Sequence, residues 1–549
     1  MNIEEYKTLR EKVAGLLIVR ISGHSQDQHR QYPKWELDNE SLKKLIKEGL
    51  GGVIILGGNI YELQERCTEL QKLTAKKLIF CADVEEGIGQ RFDGGTWLPP
   101  PMTIGRIYKN EPKRAISLAE HYGHCVGEQA RESGLNLVLA PICDVNTNPE
   151  NPVINVRAWG SNPLTVSELT CAFQRGINRE GVLTCAKHFP GHGDTQFDSH
   201  LELPILKHSL RRINKTELVP FKSIITKGVD SIMSAHIKFS NIDNEYPATL
   251  SYTILTKLLR QELNYKGLVL TDALIMRSIA EQYGPDEASV LAIKAGADLL
   301  LMPEEPFKAI EAICKAVEKG EITMERINQS TNRRAIALGK ISNYWIQNQA
   351  NSKQRVHYLN KHNEGEMLAK ELIDSSLEIQ NPGGIRSTDR GINLVRVDDS
   401  INCPILTSPS PALELPQKAG FQRLLVDKNR ISPWQPKRED PLNLVHIGIA
   451  PTLVQLFIRG NPFTGLGHTK EPWIEALRQL QNNNLLAGVI IYGSPYLWER
   501  VVSVINTNIP AGYSPAQTRE AQNQVLRKLI CTKIFQNDIK DKLLEEFTD

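Results

Sequence analysis

Leu183-Thr184-Cys185-Ala186-Lys187-His188 is a short apolar run that ends on two ionisable side chains. It continues as Phe189-Pro190-Gly191-His192-Gly193-Asp194-Thr195-Gln196-Phe197-Asp198-Ser199-His200. A run of this length, closed by proline and glycine, reads as a buried strand leading into a loop of specified shape. Comparable runs occupy residues 16–21, 52–56, 78–84, 135–142, 231–236, 267–271 and 298–302. Between most of them lie longer stretches with helical spacing. In one, Ile310, Ile313, Cys314 and Val317 share a face and Gly320 closes the helix. Strand candidates alternating with helices predict an α/β fold, an N-terminal (β/α)8 TIM-like barrel, with an open doubly wound sheet as the alternative.

The ends of these runs favour the barrel. They carry Asp83 and Glu85, Asp144, Lys187 and His188, His236, then Asp272. Barrel active sites are assembled from the C-terminal ends of several strands. Strands that merely end in polar loops would carry Gly, Asn or Ser there. Asp272 closes the apolar run Gly267-Leu268-Val269-Leu270-Thr271, where a carboxylate is costly without a partner or a task. It suits a nucleophile, or a cap on the following helix. The 187–200 loop reads as a centre of chemistry, as a metal site or as a solvated loop, although no His-Glu-x-x-His helix supports a metal.

Composition bounds the rest. The chain has 549 residues, 41% hydrophobic and 23% charged, enough for two or three domains with real cores. A net charge of +2 lacks the concentrated basic face that nucleic-acid binding needs. The N-terminus, Met1-Asn2-Ile3-Glu4-Glu5, does not read as a secretory signal, and no apolar stretch is long enough to span a bilayer. Nine scattered cysteines without a Cys-x-x-Cys pair suggest a reduced, cytoplasmic setting. The expected domains are a catalytic barrel over 1–345, a linker or connecting helix over 346–372 and a smaller α/β sandwich over 373–549. In the last, strands are expected at 392–397, 442–449 and 486–492, and helices at 473–480 and 516–529.

The motif Lys187-His188-Phe189-Pro190-Gly191-His192-Gly193-Asp194-Thr195, ending in Asp198-Ser199-His200, resembles glycoside hydrolase family 3, specifically its β-N-acetylhexosaminidase branch. Further matching pieces are Gly51-Gly52-Val53 with Gly58-Asn59, Asp83-Val84-Glu85-Glu86-Gly87, Ala140-Pro141 with Asp144-Val145-Asn146, and Arg157-Ala158-Trp159-Gly160. Near the C-terminus, Asn461-Pro462 and Gly512-Tyr513-Ser514 with Ala516 look like the family's second domain. The resemblance implies a retaining, exo-acting enzyme that removes terminal β-linked N-acetylglucosamine, from cell-wall (muropeptide) fragments, through a covalent glycosyl-enzyme. Asp272 would be the nucleophile, His200 the proton donor and Asp198 the partner of its imidazole. Asp83, Arg157, Lys187 and His188 would grip the terminal sugar. No cofactor and no metal is implied. The partner is a small oligosaccharide or muropeptide, with no nucleic acid or membrane, and the protein is a monomer or homodimer.

Two departures stand out. Glu86 and Ile88 replace a glycine and an arginine of the family's pattern, and Ala158-Trp159 stands where Ser-Phe is common. The alternatives are a β-glucosidase or β-xylosidase of the same family, with Glu471 or Glu475 as acid, and a β-N-acetylglucosaminide phosphorylase. A metal-dependent barrel hydrolase lies outside the class; His24 and His29 have poor ligand spacing for it. A sugar-binding protein without catalysis fits the Asp272, Asp198 and His200 set worst.

Overall fold

The computed structural model describes residues 3–341, 354–398, 403–406, 410–427, 432–459 and 471–531. It forms two units, Met1–Leu368 and Ala369–Asp549. The boundary falls inside helix Gln354–Ser376, within the expected connecting segment, of which residues 346–353 lie outside the described residues.

In the first unit eight strands pair side by side. They are β1 Leu17–Ser22, β2 Gly52–Leu56, β3 Ile79–Ala82, β4 Leu137–Val138, β5 Leu183–Phe189, β6 Ser231–Ser234, β7 Leu268–Leu270 and β8 Leu300–Leu301. Their spatial order is β8-β1-β2-β3-β4-β5-β6-β7, and every ladder is parallel. A parallel bridge from Leu270 to Leu299 joins the two ends of the sheet. Chain order and spatial order coincide around the ring, whereas a doubly wound sheet reverses at a switch point. The fold is therefore a nearly closed (β/α)8 barrel.

Strand alternation explains which residues fill it. Ile18, Ile54, Ile79, Cys81, Leu137, Leu139, Leu183, Cys185, Met233, Leu268, Leu270 and Leu301 form one buried cluster, joined by Ala337, Leu338 and Ile341 from the end of the first unit's helical run. Each fully buried Leu or Ile contributes about 1.5–3 kcal/mol. Two residues beyond Cys81, Cys185 and Leu270 come Asp83, Lys187 and Asp272. The face that packs the interior thus becomes, one step further, the face that carries the chemistry.

The opposite strand ends carry ions of another kind. Asp298, fully buried before β8, is paired with Arg260, Arg326 and Arg333 and accepts from the Val269 backbone N–H. Asp230, before β6, accepts from Thr184 and pairs with Lys340. Carboxylates at this end serve stability rather than catalysis.

The second unit holds a six-stranded sheet: β9 Glu378–Gln380, β10 Gly391–Arg396, β11 Phe421–Val426, β12 Thr452–Ile458, β13 Leu486–Gly493 and β14 Ala511–Ser514, in the order β9-β14-β13-β12-β10-β11. All pairs are parallel except β9 with β14. Helices Trp473–Asn482 and Pro495–Val502 cover its apolar surface through Trp473, Leu477, Leu480, Trp498 and Val501. The smaller domain is α/β, as expected, but two local readings fail. Residues 442–449 are not a strand: Asn443 caps the short helix Leu444–Ile447, and Val445 and Ile449 are 88% and 75% exposed. The last helix is Arg519–Leu529, capped by Thr518, and so starts after Ala516. Asn461-Pro462 lies outside the described residues.

Candidate active site

The strand ends of the barrel bring together the groups that the sequence singles out at β3, β5 and β7. Lys187, 1% exposed, places its Nζ 2.5 Å from Asp83 Oδ1 and 3.7 Å from Glu85 Oε2. Arg157 donates from Nε to Glu85 Oε1 at 2.8 Å and from a guanidinium nitrogen to the Val153 carbonyl. Burial would raise the Glu85 carboxyl, but Lys187, Arg157 and Arg91 outweigh it and hold it well below the usual carboxylate range. Burial would equally lower Lys187, and Asp83 and Glu85 reverse this. The result is a permanently charged patch of fixed geometry, suited to gripping several hydroxyls at once.

Such a patch is costly to break. Lys187→Met takes the cation from Asp83 and leaves the buried Glu85 with Arg157 and the more distant Arg91, and it is expected to destabilise the fold by about 3 kcal/mol. Urea unfolding measures this; a change under about 1 kcal/mol, the range of exposed pairs, would mean that water screens the pair.

His188 follows on the same strand end. Its Nδ1 lies 2.8 Å from Asp144 Oδ2, and its backbone N–H and that of His192 donate to the same carboxylate at 3.1 and 2.7 Å. Asp144, whose role is unassigned from sequence, therefore fixes both the ring and the loop. Burial opposes its ionisation, yet the charge and hydrogen bond of His188 depress it below its ordinary value. His192 is a structural member of the loop. It sits between Thr195 Oγ1 and Ser199 Oγ at 2.9 and 2.8 Å, and burial pushes it down to about 4, so it is neutral at pH 7. Gly193 is required by close approach: a Cβ there would stand 1.8 Å from the Val145 carbonyl oxygen.

That braced loop presents Asp198 and His200. Asp198 Oδ1 accepts from the His200 backbone N–H at 2.9 Å and lies 2.8 Å from its Nδ1. The carboxylate is buried and the imidazole is 18% exposed. An acceptor at Nδ1 fixes the tautomer and leaves Nε2 to exchange a proton.

Asp272, at the end of β7, is half-buried, and its Oδ1 accepts from the Ala273 N–H at 2.8 Å. Burial would raise its pKa, but His236, His188, His200 and the Ala273 N–H bring it down to about 2. It is an ionised carboxylate surrounded by imidazoles. His236 Nε2 donates to the Ala273 carbonyl at 3.0 Å, and Thr249 Oγ1 lies 2.8 Å from its Nδ1. Burial lowers His236, so a neutral ring positions the backbone beside Asp272.

The two sequence departures have local explanations. Glu86 is fully buried and accepts from Trp97 Nε1 at 3.0 Å, while Ile88 is buried core. An arginine still reaches this region: Arg91 donates to the Asp83 carbonyl at 3.1 Å and is one of the charges acting on Glu85. Sequence reading missed it because the arginine lies three positions beyond Ile88. Trp159 packs in an aromatic cluster with Tyr122 and Phe173, ring centroids 6.0 and 5.4 Å away, and so replaces core with core.

One residue named for each of two alternatives has a partner of its own. Glu471 accepts from Arg396 at 2.9 Å and from Trp473 Nε1 at 2.7 Å, a structural engagement within the second unit. His24 pairs through Nδ1 with Glu62 at 2.6 Å.

Residues 8–336 match the family model described as the glycosyl hydrolase family 3 N terminal domain, three-fifths of the chain. The chain belongs to glycosyl hydrolase family 3. Residues 384–531 of this family 3 protein match the bacterial glycosyl hydrolase family 3 C-terminal domain. It is 34% identical over 284 residues to a beta-hexosaminidase of Thiobacillus denitrificans, covering 51% of this chain and 79% of that protein. It is also 34% identical over 324 residues to beta-hexosaminidase A of Pseudoalteromonas piscicida, covering 53% of this chain but only 54% of the longer relative. Among solved structures, it is similar to a glycoside hydrolase family 3 beta-N-acetylglucosaminidase from Paenibacillus sp. str. FPU-7, with TM-score 0.73 and 26% identity. That match covers 95% of this chain and 97% of the other, so it spans both domains.

Proposed function

We propose that this family 3 glycosidase is a retaining, exo-acting β-N-acetylhexosaminidase that hydrolyses terminal β-linked N-acetylglucosamine. The observation that carries the reading is the Asp198–His200 pair on the loop after β5, with the ionised Asp272 at the end of β7. Two-carboxylate glycosidases use a second Asp or Glu for proton transfer; here a carboxylate-supported imidazole takes that role. The names of the three relatives above agree with it.

In the first step the Asp272 carboxylate bonds to the anomeric carbon as the glycosidic C–O bond breaks. His200 Nε2–H gives its proton to the departing oxygen. In the second, neutral His200 takes a proton from water, the hydroxyl bonds to the same carbon and Asp272 leaves as carboxylate. Asp198 stabilises the imidazolium in each half. Asp83, Arg157, Lys187 and His188 hold the terminal sugar, and Arg91 borders the same patch. Muropeptide fragments in the cytoplasm are the substrate class proposed, with release of the terminal sugar as the exo action.

Proton NMR during early turnover of a nitrophenyl β-N-acetylglucosaminide tests the double displacement. The β-anomer of the free sugar is expected to appear first; α-anomer first would mean a single displacement. One observation favours a second reading. A neutral imidazole repels phosphate less than a carboxylate does, so phosphate could replace water and yield sugar 1-phosphate.

A further inference from the structure

Away from the barrel mouth, helix Pro112–Ser133 carries His121, His124 and Glu128, three and four residues apart, on one face. Glu364, on helix Gln354–Ser376, meets them. One ligating atom from each of His124, Glu128 and Glu364 lies within 4.8 Å of the others. His121 Nε2 stands 2.9 Å from Glu364 Oε1, beside this group of three. Outside this cluster, Glu180 Oε1 lies 2.8 Å from His124 Nδ1, and its other oxygen pairs with Arg131. A carboxylate on Nδ1 fixes the imidazole and leaves Nε2 as the ligating nitrogen, the outer-shell arrangement typical of metal-bound histidine.

We propose that His124, Glu128 and Glu364 bind one zinc ion, with His121 orienting the Glu364 carboxylate. One imidazole and two carboxylates suit zinc with a water in the fourth position rather than magnesium or calcium, which favour all-oxygen sites. An ion about 2.0–2.2 Å from each ligand would draw the side chains slightly inward. It would also neutralise Glu128, only 8% exposed, and Glu364, whose negative charges converge. None of these residues belongs to the sugar site. The ion would clamp the Glu364 segment onto the barrel helix and leave hydrolysis untouched.

The test uses the full chain, stripped with chelator and titrated with zinc sulfate by calorimetry, with thermal unfolding in parallel. One zinc per chain at micromolar Kd or tighter is expected, together with a higher Tm and unchanged turnover of nitrophenyl β-N-acetylglucosaminide. His124→Ala and Glu128→Gln should abolish uptake, and Glu180→Gln should weaken it about 10–100-fold. Glu364→Gln alters an exposed residue and keeps the test valid if the helix variants fail to fold. No uptake by the parent chain, or equal uptake by His124→Ala and Glu364→Gln, would overturn the site and reduce the cluster to ion pairs.

Discussion

Asp272→Asn is expected to lower kcat/KM on nitrophenyl β-N-acetylglucosaminide by on the order of 10⁴-fold or more, the scale of deleting a catalytic nucleophile. The amide is nearly the same size, so the Ala273 N–H keeps an acceptor and the barrel keeps its packing. What it loses is charge and nucleophilicity. The native carboxylate is ionised at every pH above its value of about 2, so its availability does not limit the rate near neutrality. Circular dichroism should be unchanged while steady-state turnover collapses. A loss of less than about tenfold would remove Asp272 from the bond-making step, since orientation alone is worth more than that.

His200→Ala is expected to show an effect that depends on the leaving group. Activated nitrophenolate departs without a proton, so glycosylation should be slowed little. An alkyl or sugar aglycone needs the proton, and its kcat/KM should fall about 10²–10⁴-fold, the range of general acid catalysis. The comparison is a series of β-N-acetylglucosaminides of rising aglycone pKa, with a steep slope expected for the variant and a shallow one for the parent. Parallel slopes would mean that another group supplies the proton. Asp198→Asn should give an intermediate slope, because Nδ1 keeps a partner but the imidazolium loses its counter-charge.

Much of the barrel was legible because parallel strands buried on both faces read as unbroken apolar runs. Residues 52–56 match β2 at both ends. Within the 135–142 run the regular ladder covers only Leu137 and Val138; Pro141 has no N–H to give, and pairing resumes as a single parallel bridge from Ile142 to Lys187. In the second domain apolarity misled. In residues 442–449 Leu442 and Ile447 are buried but Val445 and Ile449 point outward, at helical rather than strand spacing, while β12 hides behind Gln455 in its centre. That glutamine is fully buried and donates to Asn393 Oδ1 and the Ala412 carbonyl, so its polarity is satisfied inside the fold. The strand β11 carries exposed Gln422 and Arg423 at the sheet's edge, which breaks its apolar signal.

The same contrast runs through the site. Asp83, Lys187 and Asp272 are readable because they end apolar runs on the interior face. Supporting roles are not, because they depend on contacts across distant sequence. Asp144 reaches His188 from 44 residues away, Glu85 reaches Arg157 from 72, and Thr249 reaches His236 across a turn of the barrel wall. No local pattern encodes such pairs. They become visible once parallel strands bring their C-terminal ends to one rim.

The central claim is that the terminal sugar is an N-acetylhexosamine released to water. Its most direct test is to assay the purified chain on nitrophenyl β-N-acetylglucosaminide and nitrophenyl β-glucoside, with and without phosphate, and to identify the sugar product. The account predicts strong preference for the acetamido sugar, free N-acetylglucosamine as product and no dependence on phosphate. Preference for the glucoside, or sugar 1-phosphate as the main product, would contradict it.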